Sequence, residues 1–446
     1  MSGANVAGVG DGRLRRAASA AAAGLLAKAL QLITLVATVP ILYATLGAER
    51  YGLWATLTAI NAFLIFADLG IGNGLTTVLG RAHGAGDVRG AQRAVSAAYV
   101  SLGGVAALLA LLGAVLLPLM PWARVLGVDG SSAAAEAGAA AAVVMVCLTA
   151  AVPLGLAARI RLGRQEAHVA GLWDAAGQGL ALILVVAGGY TGWGVPALLA
   201  AALAPPLVAQ ALHTAQLLWS HPFLRPSWRL ADRAAVETML HTGSLFLVIQ
   251  VCTAVAYSFD PLFCAHVFGP AAAADLAVAQ RLFVIPIVLV GLALTPLWPA
   301  YGEALARGDQ AWARRTWYRS LAGTAALVLI GMPVAVWLAP EVLRQWVGNG
   351  YTPSTWLVVA CAAAAAVQMF THAVTMLANG AGRLHGMAVG AALLALLSLF
   401  GKPLAGWWLG PSGIIAVTAV GTLLVYTLPS YIIGRAIVAR PPNRTT

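Results

Sequence analysis

The sequence predicts an all-α membrane protein of about twelve transmembrane helices, built as two six-helix bundles that repeat in parallel. Three observations predict it. The 446-residue chain is 61% hydrophobic and only 9% charged, where a soluble domain carries about 25% charged residues. Long apolar runs recur along its whole length. The basic residues fall almost entirely into alternate loops between those runs.

Composition sets the first boundary. A mean hydropathy of +0.85 leaves too little polar surface to face water, so most of the surface faces lipid or other helices. Length alone would allow two or three soluble domains, and composition overrides that. The net charge of +11 belongs to membrane-flanking loops and the anionic headgroups they meet. A nucleic-acid partner is not expected, because it would need a soluble basic module with interleaved aromatics. Cys147, Cys252, Cys264 and Cys361 lie in apolar stretches without CxxC spacing or nearby histidines, so they read as small core residues and not as a disulfide or zinc framework. Arg13, Arg15 and Arg16 precede an apolar run that continues to about Leu46. That is too long for the apolar core of a cleaved signal, and it reads as the first membrane helix acting as an uncleaved signal.

A bilayer-crossing helix needs about 20 mostly apolar residues, because lipid offers the backbone no hydrogen-bond partner. Twelve such runs lie near 17–46, 50–79, 92–119, 134–158, 167–188, 193–218, 239–266, 271–301, 316–339, 354–378, 384–408 and 412–437. With both termini cytoplasmic, 20 of the 26 Lys and Arg residues fall on the inside and three (Arg50, Arg124, Arg344) outside. Cytoplasmic loops carry this excess, so the split supports the count and the orientation together, and an inner (plasma) membrane is the expected location.

The chain also repeats weakly on itself at an offset of 222. Gly47 pairs with Gly269, Gly80 with Gly302, Gly86-Asp87 with Gly308-Asp309, and Arg93 with Arg315; Gly163-Arg164 resembles Gly382-Arg383 with the register slipped by three. Six helices per half start each half on the same side, so the repeat is parallel, a known transporter architecture. The halves are taken as 1–230 and 231–446.

Three segments carry a family resemblance: LGAERYGLW (46–54), DLGIGNGL (68–75), and LANGAGR (377–383). They resemble the polysaccharide-transport, Wzx-type flippase branch of the multidrug/oligosaccharidyl-lipid/polysaccharide (MOP) exporter superfamily, most strongly over residues 40–95. The resemblance implies a V-shaped pair of six-helix bundles around a central cavity, working by alternating access. The implied cargo is a polyprenyl-pyrophosphate-linked oligosaccharide, flipped from the cytoplasmic to the outer leaflet for polysaccharide, lipopolysaccharide or O-antigen synthesis. A polysaccharide polymerase is the implied neighbour.

Ionisable groups inside spans are costly and mark functional positions. Lys28, Arg281 and Lys402 sit on three different spans and are expected to bind an anionic cargo, Arg as a fork and Lys as a point charge. Asp68, Asp174 and Asp260 are the acidic candidates, either as ion pairs or as groups coupling transport to H+ or Na+. Asp260 precedes Pro261, where a kink is expected, and Arg281 on the next span is its expected partner. Gly70, Gly72, Asn73 and Gly74 form a hinge or packing element, with Gly70 and Gly74 spaced for close helix contact. Trp54, Trp193, Trp298, Trp337 and Trp407 stand near span ends and are expected to anchor at the interface.

No GxSxG, P-loop, HExxH or paired-carboxylate loop is present. The chain is therefore read as a non-enzyme without cofactor or metal, driven by an ion gradient or by removal of its cargo. The competing readings are an ion-coupled multidrug or metabolite antiporter of the same superfamily, and a membrane-embedded glycosyltransferase or ligase, for which the longest loop (219–238) is too small.

Overall fold

The computed structural model describes residues 66–439, apart from 127, 129–131, 269 and 348–353, and scattered positions between 22 and 58. Ten helices among the described residues are long and apolar enough to cross a bilayer. They correspond in order to the third to twelfth expected spans, and the chain is an all-α, multi-pass membrane protein. The first expected span, 17–46, lies mostly outside the described residues, as does Lys28.

The helices run as follows: α1 (Ile71–Ala85), α2 (Val88–Leu119), α3 (Trp122–Val125), α4 (Ala134–Leu154), α5 (Leu156–Gly163), α6 (Ala167–Tyr190), α7 (Val195–Ser220), α8 (Arg233–Ser258), α9 (Asp260–Phe268), α10 (Pro270–Leu294), α11 (Leu297–Ala306), α12 (Gln310–Val347), α13 (Thr355–Gly380), α14 (His385–Leu409), α15 (Pro411–Gly421), and α16 (Leu428–Ala439). A π-helical turn, Thr422–Thr427, joins α15 to α16. The chain divides into two compact units, 11–244 and 245–446, with the division inside α8.

In the N-terminal unit α1 packs on α2 and α5, α4 on α2 and α7, and α6 on α7. One apolar core gathers Ile71, Leu75, Val95, Leu102, Leu156, Ile160 and Leu217. A second gathers Leu42, Leu53, Leu57, Val144, Val185 and Leu198. In the C-terminal unit α13 is the central helix, touching α10, α11, α12, α15 and α16. The outer faces are as apolar as the cores: Leu111, Ile183, Leu329 and Phe400 are all more than 60% exposed. An inside and an outside that are both apolar are what lipid demands of a bundle.

Small residues set the closest approaches. A Cβ on Gly380 would stand 2.5 Å from the Trp298 carbonyl oxygen, and one on Gly163 would stand 2.8 Å from Leu79 Cβ. Without a hydrophobic drive between helices in lipid, such backbone proximity is a main source of adhesion.

The internal repeat has a structural signature. Gly86 and Gly308 both adopt left-handed φ, +68° and +75°, closing α1 and α11. Asp87 N–H donates back to Ala82 O (2.9 Å) and Asp309 N–H to Ala304 O (2.8 Å). The same aspartates then cap the next helix, Asp87 accepting from Gly90 N–H (2.8 Å) and Asp309 from Trp312 N–H (3.2 Å). Glycine ends one helix because it bears φ > 0 without strain, and aspartate starts the next. At the second repeated turn the left-handed positions are Gln165 (φ +61°) and Gly382 (φ +60°), so the register there slips further than the Gly163/Gly382 pairing implied.

Three expectations are corrected. The second span was read as continuous over 50–79; instead residues 67–70 form a turn, with Leu69 and Gly70 at φ +50° and +71°, and α1 starts at Ile71. The chain breaks at Phe259, one residue ahead of the Asp260–Pro261 step. A proline nitrogen costs a helix nothing in its first turn, where N–H groups are unpaired anyway. Trp54 and Trp298 are core residues, 8% and 5% exposed; the Trp298 ring lies 5.3 Å from Phe246. Trp193, Trp337 and Trp407 are exposed.

Candidate functional site: two polar centres inside the bundles

The C-terminal unit holds a buried ion pair. Asp260 opens α9 and Lys402 lies in α14, with exposures of 1% and 0%. Lys402 Nζ donates to Asp260 Oδ1 at 2.5 Å and also to the Ala256 carbonyl. Its third side faces the Phe263 ring at 5.9 Å, within cation–π range. Gln280 on α10 donates Nε2–H to Asp260 Oδ2 at 2.9 Å, and Thr418 on α15 lies 3.3 Å from Oδ1. Thr422, the first residue of the π turn, donates to the Tyr257 hydroxyl at 3.2 Å. A cavity of about 180 Å³ reaches Asp260 between Tyr257, Gln280, Phe283 and Gln368.

The local sequence explains this construction. The break at Phe259 frees the end of α8, so the Ala256 carbonyl turns to the ammonium. Gly406, one turn beyond Lys402, lets α14 approach α9, because a Cβ there would already touch Phe268 at 3.3 Å. Stranding one member of such a pair without the other is expensive, and here each charge is matched within the same unit.

The N-terminal unit holds an open polar centre. Asp68 Oδ1 accepts from Gly70 N–H at 2.8 Å, which fixes the turn ahead of α1. Arg159 on α5 and Gln210 on α7 share with Asp68 a cavity of about 250 Å³. Thr76 on α1 donates to the Arg159 carbonyl at 3.3 Å, holding α5 against α1. Asp174 on α6 interacts electrostatically with Arg159.

The expected site residues therefore separate. Lys402 does not face open space: Asp260 takes its ammonium, in the place expected for Arg281. Arg281 itself is exposed on α10. Asp68 lines the N-terminal cavity. Among the glycines, Gly70 takes the left-handed φ, Gly72 borders Asp68 and Arg159, and Gly74 approaches Thr242 and Gly243 of α8. Asn73 sits in the first turn of α1 and Pro261 in that of α9.

The sequence reading missed Gln210, Gln280 and Thr418, and it offered Arg159 only as one of three arginines, with Arg161 and Arg164, that Asp174 could answer. Arg159 was counted with the loop arginines; its place three residues after Leu156 within an apolar helix was the available signal. Arg161 and Arg164 instead pair with Glu166, at 2.5 and 3.2 Å. Among the described residues no group of three His, Cys, Asp or Glu could hold a metal ion.

Comparison with known proteins adds to this geometry. A family model described as "Polysaccharide biosynthesis protein" matches residues 41–355. No curated protein sequence matches the chain. An outward-facing multidrug resistance MATE family transporter of the MOP superfamily superposes with a TM-score of 0.78 at 18% identity, over 96% of both chains. A Vibrio cholerae MATE transporter superposes at 0.79 with 17% identity, over 97% of this chain and 99% of its own. A Pyrococcus furiosus MOP superfamily transporter, described by the reverse polarity of its binding pocket, gives 0.78 at 16%, over 96% of each chain. At such identities the shared property is the fold.

Proposed function

The chain belongs to the polysaccharide biosynthesis protein family, and from that premise we propose that it is a flippase for polyprenyl-pyrophosphate-linked oligosaccharide. It moves its cargo from the cytoplasmic to the outer leaflet of a bacterial inner membrane, by alternating access of the two halves, 1–230 and 231–446. Both termini are cytoplasmic in this reading, and a polysaccharide polymerase consumes the product. Lys28 and Arg281 are its proposed pyrophosphate contacts.

The observation that carries the flippase reading over the antiporter reading is the Asp260–Lys402 pair. An ion-coupled antiporter needs a carboxylate whose counter-ion comes and goes. Asp260 instead has a cation of the same chain, the Lys402 ammonium, at 2.5 Å and a second donor in Gln280, so it needs no exchanged ion. Asp68 is left as the carboxylate that an antiporter would use.

The test is depletion of the protein in its host, with mass analysis of polyprenyl-linked sugars and complementation by wild type, Arg281→Ala and Lys28→Ala. Accumulated lipid-linked oligosaccharide that wild type clears supports the flippase. Clearance by both variants removes their proposed role. No accumulation, in a host without a second flippase, overturns the reading and favours the antiporter.

A further inference from the structure

We propose that the cavity of the N-terminal unit is a sugar-binding subsite, one monosaccharide ring in size, in which Asp68, Arg159 and Gln210 hold hydroxyl groups. The inference deepens the flippase reading and rests on it for the source of the sugar.

Unused hydrogen-bonding capacity carries the argument. The Gln210 side-chain oxygen is buried without a partner, in a place where an unsatisfied acceptor costs stability. The Arg159 guanidinium makes no hydrogen bond or ion pair among the described residues, although Asp68 and Asp174 are both near. Asp68 spends Oδ1 on the Gly70 turn and keeps Oδ2 unbonded among the described residues. One strong donor fork, one carboxylate and one amide side chain thus line the same cavity. Hydroxyl groups both donate and accept, so a sugar satisfies all three.

Size and charge narrow the class. At about 250 Å³ the cavity is below the roughly 300–1,000 Å³ of pockets for drug-sized ligands, which leaves room for a single ring. A pyrophosphate would gain Arg159 but would meet the charge of Asp68 directly and that of Asp174 behind it. Like charges in a low-dielectric interior repel strongly, so the surroundings favour a neutral polyol over a phosphate. Leu102 and Ala151 supply an apolar wall for the ring's C–H face.

The DLGIGNGL segment then has a reason at one more position. A Cβ on Gly72 would stand 2.7 Å from Asp68 Oδ2 and 3.0 Å from Arg159 Cγ. Any side chain there would displace the two groups that grip the sugar. Glycine at 72 keeps the subsite open.

The test uses the purified full-length protein in detergent micelles. Saturation-transfer NMR with free glucose, galactose and N-acetylglucosamine is compared with inorganic pyrophosphate. The expected result is transfer to at least one sugar, not displaced by pyrophosphate. Arg159→Gln and Gly72→Leu should weaken it about tenfold or more, the scale of one lost charged hydrogen bond. Melting temperatures of the variants verify that they fold, and Asp68→Asn, which keeps the shape of the side chain, gives a second measure. No transfer to any sugar in wild type overturns the subsite, as does transfer unchanged in both variants. Pyrophosphate binding that Arg159→Gln abolishes would make the cavity an anion site instead. Flipping by reconstituted protein is measured in parallel: flipping without sugar binding sinks the subsite alone, and sugar binding without flipping sinks the flippase reading alone.

Discussion

Lys402 and Asp260 stand 2.5 Å apart, with 0% and 1% of their side chains exposed, and tie α14 to the start of α9. The pair should behave as one unit. Lys402→Met strands a carboxylate in an apolar interior and is expected to cost about 3–5 kcal/mol, whereas Lys402→Met combined with Asp260→Leu recovers most of that loss. Thermal unfolding of the three proteins in the same detergent checks it. A double variant no more stable than the single one would show that the pair is not an isolated charge balance.

Helix contact at glycine gives a second expectation. Gly380→Ala places a methyl 2.5 Å from the Trp298 carbonyl and 2.9 Å from Gly302 N, both backbone atoms that cannot rotate away. Overpacking of this kind costs about 1–3 kcal/mol. Gly323→Ala on α12 meets nothing within 4 Å and should stabilise by about 0.5–1 kcal/mol through helix propensity. Melting temperatures should move in opposite directions for the two variants.

The repeated turns predict paired effects. Asp87→Ala and Asp309→Ala each remove a side-chain cap from a long helix, a loss of about 0.5–2 kcal/mol. Denaturation of the two variants compares them.

The contact between Glu166 Oε1 and His221 Nε2, at 3.6 Å, predicts how stability follows pH. Burial pushes the Glu166 carboxyl up, but the Arg161 hydrogen bond and the charges of Arg164, Arg161 and His221 outweigh it and hold it below its ordinary value of 4.5. His221 is also held low, by burial first and then by Arg164 and Arg161, against the opposing pull of Glu166 and the Leu217 backbone. Its Nδ1 lies 3.0 Å from Ser220 Oγ, and its ring meets Phe223 edge-on. A depressed histidine stays neutral in the fold while the unfolded chain takes up a proton, so its contribution is lost as pH falls through about 6.5. Glu166 contributes above its ordinary value and loses that contribution as pH falls further. Melting temperature should therefore drop on acidification, and His221→Gln should flatten the part nearest neutrality.

Much of the fold was legible because lipid permits few solutions. Ten of the expected spans appear as helices, and the Gly-Asp repeat marks the same turn in both units. What the sequence hid were breaks and partners. The turn at 67–70 lies within an apolar run, and only Asp68 and Gly70 mark it. Arg281 is the nearer candidate for Asp260 along the chain, yet Lys402 reaches it across 142 residues, and no local pattern encodes such a pairing. Arg159 looked like a loop cation because it sits close to Arg161 and Arg164; helix α5 directs those two to Glu166 and Arg159 to the cavity.

The most direct test of the central claim is leaflet exchange by the purified protein. The full chain is reconstituted into liposomes carrying polyprenyl-pyrophosphate-linked oligosaccharide, and the fraction of sugar open to an impermeant oxidant is followed with time. A flippase exposes the whole labelled pool, faster than protein-free liposomes and without an imposed ion gradient. Liposomes with and without protein that expose the same half, under a pH or sodium gradient as well as without one, would contradict the account.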